Sequence, residues 1–174
     1  MIYGDSIELM RMMDVGSVDF VLADPPYSDH ETIDLGIYYA RAICKGPSLF
    51  FMYPEDLCRL EEPPDQVIHW IKPPSTKNTV RRYSRFVEAI ACYDLDQSPF
   101  NQDTHWTTRT GVFNDSFAAK QVHPFEKPAS LLEKLLVVHS KPGDLVLDPF
   151  AGSGSVEKVC NRIGRKCLSI EIKP

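Results

Sequence analysis

The chain has 174 residues, 43% of them apolar and 25% charged, with a formal net charge of −5. That length carries one compact domain with a real core and excludes two, and the composition excludes a disordered, collagen-like or disulfide-scaffold protein. No apolar run approaches the roughly 20 residues of a membrane span, the N-terminus lacks a basic stretch leading into an apolar one, and Cys44, Cys58, Cys92, Cys160 and Cys167 form no C-x-x-C pair. The expectation is a cytoplasmic protein without a zinc site.

Short apolar runs alternate with helical patterns almost from end to end, which predicts an α/β sheet built by crossovers. Seven strands are expected: Ile2 to Tyr3, Val18 to Ala23, Ser48 to Tyr53, Gln66 to Lys72, Arg85 to Tyr93, Leu145 to Asp148 and Lys166 to Ile172. Ser6 to Met13 reads as a helix opened by Asp5, with Glu8 three residues on completing a capping box, and Glu31 to Cys44 as a second helix. Pro128 suits a first helical turn, and Leu131, Leu132, Leu135, Leu136 and Val138 make one apolar face before Lys141, Pro142 and Gly143 end the helix. Val156, Val159, Cys160 and Ile163 repeat the pattern, with Gly164 as the left-handed stop. Residues 94–122 hold Phe100, Trp106, Phe113 and Phe117 without a sustained period, and read as a long functional loop or small insertion in the single domain.

Three local patterns carry chemistry. Val146 to Gly154 runs a buried strand, ending at Asp148 and Pro149, into the turn Phe150, Ala151, Gly152, Ser153, Gly154 and then an amphipathic helix. Such a turn lets backbone approach a nucleotide-like ligand, and the helix start offers unpaired N–H groups. Glu171 ends the next strand, where a carboxylate can accept hydrogen bonds from ribose hydroxyls; the absence of G-x-G-x-x-G disfavours a dinucleotide.

Asp24, Pro25, Pro26 and Tyr27 end the second strand. The prolines hold the chain extended, so the Asp24 carboxylate and Pro25 carbonyl can act as paired acceptors for an amino group, with the Tyr27 ring as a face for a base. The third pattern is basic. Lys72, Lys77, Arg81, Arg82 and Arg85 lie in a stretch free of acidic residues, with Tyr83 and Phe86 interleaved, and read as a phosphate-facing patch despite the net acidity.

Taken in order, Gly4-Asp5, Asp24-Pro-Pro-Tyr27, His123-Pro-Phe-Glu-Lys-Pro128, Asp148-Pro-Phe-Ala-Gly-Ser-Gly154 and Ser169-Ile-Glu171 resemble the DNA amino-methyltransferases that place the catalytic motif before the cofactor motif. The resemblance implies a Rossmann-like fold with a mainly parallel seven-stranded sheet and an antiparallel strand, S-adenosylmethionine as cofactor, DNA as partner, no metal, and a bacterial or phage setting. It implies catalysis at Asp24 to Tyr27. It also implies cofactor contacts at Asp5, His123, Lys127, Asp148, Phe150, Ala151, Gly152, Ser153, Gly154 and Glu171, with Asp5 near the adenine and Lys127 near the methionine carboxylate. Two departures stand out: Phe125-Glu126 replaces Thr-Gln, adding a negative charge near that carboxylate, and Ser169 replaces a glycine. The sequence stops directly after the strand holding Glu171, so a second copy of the chain is expected to cover that sheet edge.

A base inside a duplex cannot reach such a pocket, so it would be extruded and stacked on Tyr27. Asp rather than Ser at position 24 tilts the expected target to the adenine N6 amine, with cytosine N4 as the alternative. From another class, a cofactor- and DNA-binding subunit without turnover remains open. The resemblance disfavours methylation of RNA or of a protein glutamine, because the relatives with those activities usually carry Asn at the first motif position.

Overall fold

The computed structural model describes residues 1–27, 29–72, 86–101, 104, 109–115 and 126–172. Among them, one sheet of eight strands contains β1 (Ile2–Tyr3), β2 (Phe20–Ala23), β3 (Ser48–Met52), β4 (Gln66–Ile71), β5 (Val87–Tyr93), β6 (Val112–Phe113), β7 (Leu145–Asp148) and β8 (Lys166–Glu171). Their order is β1-β8-β7-β2-β3-β5-β4-β6. β5 runs against both of its neighbours and every other pairing is parallel.

All seven expected strands form. The eighth, β6, lies in the stretch read as a loop. Two residues are too few to show a period, and β6 exists through its pairing with His69 and Trp70 of β4. Two strands start later than expected. Val18 makes only an isolated bridge to Cys44 before β2 begins, and β5 begins at Val87.

Four α-helices flank the sheet among the described residues: α1 (Ser6–Arg11), α2 (His30–Ile43), α3 (Ala129–His139) and α4 (Ser155–Arg162). Asp5 caps α1 by accepting from Ile7 N at 2.9 Å and Glu8 N at 3.1 Å. The reciprocal arm of the expected box is missing, because Glu8 accepts from Arg11 instead. α2 starts one residue early, capped by Asp29. Gly164, at φ 75°, ends α4 as expected, with Arg165 N bonding back to Cys160 O at 2.9 Å.

The continuous apolar runs of the central strands face two cores, as a sheet covered on both sides requires. Phe20, Leu22, Leu49 and Phe51 pack under α3 and α4, through Leu131, Leu135, Val156 and Val159. The alternate residues Val21, Ala23, Phe50 and Met52 pack under α1 and α2, through Met10, Ile33, Ile37 and Ala40. From the neighbouring strands β2 and β7, the chain proceeds to opposite sides, β2 to β3 and β7 to β8. Strand order reverses there, and a crevice opens at the carboxyl ends of such a pair. No helix among the described residues is long and apolar enough to cross a membrane.

Candidate active site

Because β5 is antiparallel, its first residues join the carboxyl ends of β2, β3, β4, β7 and β8 at one edge of the sheet. Asp24 follows β2 there. Its Oδ1 accepts from the Tyr27 hydroxyl at 2.7 Å and its Oδ2 from Lys127 Nζ at 2.6 Å. The turn is held by Asp29 N donating to the Pro26 carbonyl at 3.1 Å, with Pro25 buried and Pro26 exposed. The Tyr27 ring packs edge-on against Tyr53, at the end of β3, with centroids 4.5 Å apart.

Behind Asp24 stands Glu88, the second residue of β5, which composition and motif reading did not single out. Its Oε2 lies 3.0 Å from the Tyr27 hydroxyl and 3.3 Å from Lys127 Nζ, and its Oε1 accepts from Lys72 Nζ at 2.9 Å. Only 8% of the Glu88 side chain and 9% of the Lys127 side chain are exposed. A buried carboxylate of this kind persists only with cationic partners, and Glu88 has two. The legible signal was a glutamate inside the otherwise apolar run Val87–Tyr93.

These contacts shift the acids in opposite directions. Burial pushes the Asp24 carboxyl above its ordinary range, against the pull of Lys127. Glu88 is also raised by burial, but Lys127 and Lys72 together hold it below the usual glutamate value. Burial and both carboxylates push the Tyr27 phenol far up, so its hydroxyl stays protonated.

The glycine turn lies across the crevice. Asp148 ends β7, only 2% exposed, and burial drives its carboxyl well above the ordinary value. Phe150 N approaches Asp148 Oδ1 at 3.3 Å, Ala151 N bonds Ile170 O at 2.9 Å, and Gly152 N donates to Glu171 Oε2 at 2.6 Å. Gly152 (φ 50°) and Gly154 (φ 72°) take left-handed conformations that side chains disfavour. Among the described residues, nothing beyond its chain neighbours lies within 4 Å of where a Gly152 Cβ would stand, so the bend is open on that side.

A cavity of about 480 Å³ joins the two halves, lined by Asp24, Phe51, Glu126, Lys127, Asp148, Phe150, Ala151, Gly152, Ser153 and Glu171 among others. Among the described residues, acidic side chains outnumber lysine on its wall, which suits a ligand carrying a positive charge. Glu126 accepts from Ser155 Oγ at 2.7 Å and lies 4.0 Å from Lys158, so its charge is turned toward the start of α4. A larger cavity of about 540 Å³, beside Arg41, Lys45, Gly46 and Tyr93, opens at the opposite edge of the sheet. It is remote from these groups, and Arg41 there is already paired with Asp94 and Glu62.

The structure therefore brings together Asp24, Lys127, Asp148, Phe150, Ala151, Gly152, Ser153 and Glu171 around one space, with Tyr27 bonded to Asp24 behind it and Gly154 closing the turn. Asp5 sits at the same sheet edge, but its carboxylate caps α1 and does not line the cavity. Lys127, expected near a cofactor carboxylate, is bonded to Asp24. Lys72 is turned inward onto Glu88 and toward the Trp70 ring, 5.9 Å away. His123, Lys77, Arg81, Arg82, Arg85 and Trp106 lie outside the described residues.

Residues 61–174 match the N6/N4 family of DNA methylases, and the chain belongs to that family. It is 39% identical over 66 residues to the type II methyltransferase M2.DpnII of Streptococcus pneumoniae, a match covering 38% of this chain and 24% of that one. It is 50% identical over 50 residues to the DNA adenine methyltransferase YhdJ of Escherichia coli K12, covering 29% and 17%. The matched segments thus span a quarter or less of these relatives. The fold is that of solved methyltransferases. The M1.HpyAVI–SAM complex superposes with a TM-score of 0.77 at 22% identity, covering 99% of this chain and 93% of that one. The cytosine-N4-specific PvuII DNA methyltransferase gives 0.78 at 17%, covering 99% and 81%.

Proposed function

We propose that the protein transfers the methyl group of S-adenosylmethionine to the exocyclic N6 amine of an adenine in DNA. The observation that carries this reading is the shared cavity, with Asp24 on one wall and the Gly152 bend and Glu171 on the other. The open side of Gly152 leaves room for a ligand against bare backbone, and Glu171 stands where ribose hydroxyls can be held. Family membership supports the reaction class. Adenine is favoured over cytosine N4 by Asp at position 24 and by the 50% identity to an adenine enzyme.

When bound, S-adenosylmethionine would be held by the Gly152 bend and Glu171 and would supply an electrophilic methyl whose leaving group keeps the electron pair on sulfur, while the amine nitrogen gives up one proton in exchange for the methyl. The exocyclic amine is a poor nucleophile because its lone pair is delocalised into the ring. Asp24 and the Pro25 carbonyl hold its two N–H groups, which favours a tetrahedral nitrogen and stabilises the positive charge that grows on it. Asp24 takes the proton during or after transfer. Tyr27, with Tyr53 beside it, stacks on the extruded base. Residues 94–122, with Lys77, Arg81, Arg82 and Arg85, contact DNA mainly through phosphates and confer short-site specificity.

The test is transfer of labelled methyl groups to DNA, followed by nucleoside analysis. N6-methyladenine is expected, with Asp24→Ala reducing the rate at least about 100-fold. N4-methylcytosine as the only product would shift the substrate to the alternative base. Cofactor and DNA binding without any product would leave a subunit that does not turn over.

A further inference from the structure

Asp24 meets its incoming amine with both oxygens already engaged, Oδ1 by Tyr27 and Oδ2 by Lys127. Lys127 presents its ammonium to the cavity where a sulfonium binds and where, as the methyl transfers, that positive charge passes to nitrogen. A lone cation there opposes the reaction on electrostatic grounds. The geometry supplies a remedy. Lys127 Nζ stands 2.6 Å from Asp24 and 3.3 Å from Glu88, so the ammonium is shared between two carboxylates.

Resting on the methyl-transfer reading above, we propose that Glu88 is a positioning residue: it retains Lys127 and Tyr27 and offsets the lysine charge, so that Asp24 can yield Oδ2 to the amine without leaving an unpaired cation beside the sulfonium. Three observations converge on this. Glu88 sits behind Asp24 rather than on the cavity wall, so its role is exerted through Lys127 and Tyr27. The single Tyr27 proton faces two carboxylates, Asp24 at 2.7 Å and Glu88 at 3.0 Å, so the hydroxyl has a second acceptor when Asp24 turns to substrate. Lys72 holds the far oxygen of Glu88 at 2.9 Å, which fixes the carboxylate's direction. The charged and titratable groups facing Asp24 are Tyr27 from its own loop, Glu88 from β5, Lys127 from the segment before α3, and Asp148 from β7. With Lys72 included, Glu88→Gln leaves this cluster one unit more positive.

The test compares binding of cationic S-adenosylmethionine with that of its neutral thioether product, S-adenosylhomocysteine, by calorimetry on wild type, Glu88→Gln and Glu88→Asp. Loss of one negative charge near the pocket is expected to weaken the cation relative to the neutral ligand by about tenfold in Glu88→Gln. Glu88→Asp, which keeps the charge, is expected to hold the wild-type ratio within about twofold. A merely structural role would weaken both ligands alike. An unchanged ratio in a folded Glu88→Gln overturns the proposal, as does an altered ratio in Glu88→Asp if the glutamine variant does not fold. The pH–rate profile gives a second readout. Removing Glu88 takes away a charge that raises Asp24, so the acid limb is expected to move to lower pH, and an unmoved limb counts against the proposal. Wild-type protein that binds neither ligand would instead defeat the methyl-transfer reading itself.

Discussion

His139 shows how burial alone can set a side chain's chemistry. It ends α3, is 3% exposed, stacks on Phe20 at 5.8 Å and meets Phe100 edge-on at the same distance. Phe100 N donates to Ser98 Oγ at 3.0 Å, and the same Oγ shares a hydrogen bond with His139 Nδ1 at 2.9 Å. A helix C-terminus ordinarily favours the imidazolium, but desolvation prevails and lowers the pKa to about 4. This value lies below that of the unfolded chain, so the unfolded state binds the extra proton between about pH 4 and 6.5. The stabilisation is complete above about pH 6.5 and is lost as pH falls toward 4, by roughly 3 kcal/mol. Urea midpoints measured across that window should fall less steeply in His139→Gln than in wild type. Parallel slopes would show that His139 is protonated alike in both states. The sequence could not reveal this residue's state, because its surroundings come from the segment around Ser98 and from β2, both distant along the chain.

At the level of elements, the legible parts were those whose pattern is local. Phe20 to Ala23 and Leu49 to Tyr53 are unbroken apolar runs inside the strands expected at Val18 to Ala23 and Ser48 to Tyr53, and those strands form, buried and trimmed at the ends. The Asp-Pro-Pro-Tyr turn and the glycine turn could each be read alone. That they face one another depends on β2 pairing with β7, whose residues are 126 positions apart at Phe20 and Val146, and no local pattern encodes that. Gly36 is a second case. It sits inside α2, where glycine costs about 1 kcal/mol relative to alanine. The structure supplies the reason, since a Cβ there would stand 3.2 Å from the Phe150 ring. Helix α2 thus packs closely against the turn that lines the cavity. Phe150 is half-buried and can give way, so Gly36→Ala should gain helix propensity and raise Tm by a few degrees. The displaced ring should weaken S-adenosylhomocysteine binding about fivefold. Thermal melts and calorimetry on the same variant check the split, and a drop in both would show that the ring cannot move.

Over the whole molecule, net charge opposes nucleic acid, and one stretch of the sequence is locally basic. The net charge is −5, and among the described residues four acidic side chains and one lysine line the cavity, so phosphates are repelled unless local cations intervene. The stretch between β4 and β5 is the exception, and its two ends are fixed at the site: Lys72 N donates to Phe86 O at 2.6 Å, next to Glu88. Whatever path residues 73–85 follow, they leave and return at the edge that holds Asp24. Lys72 itself is occupied by Glu88, which leaves Lys77, Arg81, Arg82 and Arg85 as the proposed phosphate contacts. Four such contacts on duplex DNA give a slope of about −3.6 in a plot of log affinity against log salt concentration, and removing two halves it. Arg81→Ala combined with Arg82→Ala should therefore bind more weakly at low salt, with a slope near about −1.8, while cofactor affinity stays unchanged. Fluorescence anisotropy with labelled duplexes at stepped salt concentrations measures this directly. A slope that the double variant leaves intact would move the DNA-facing surface away from the β4–β5 connection. It would then fall to the residues around β6, at the far edge of the sheet, where Arg109 is the one cation among the described residues of that segment.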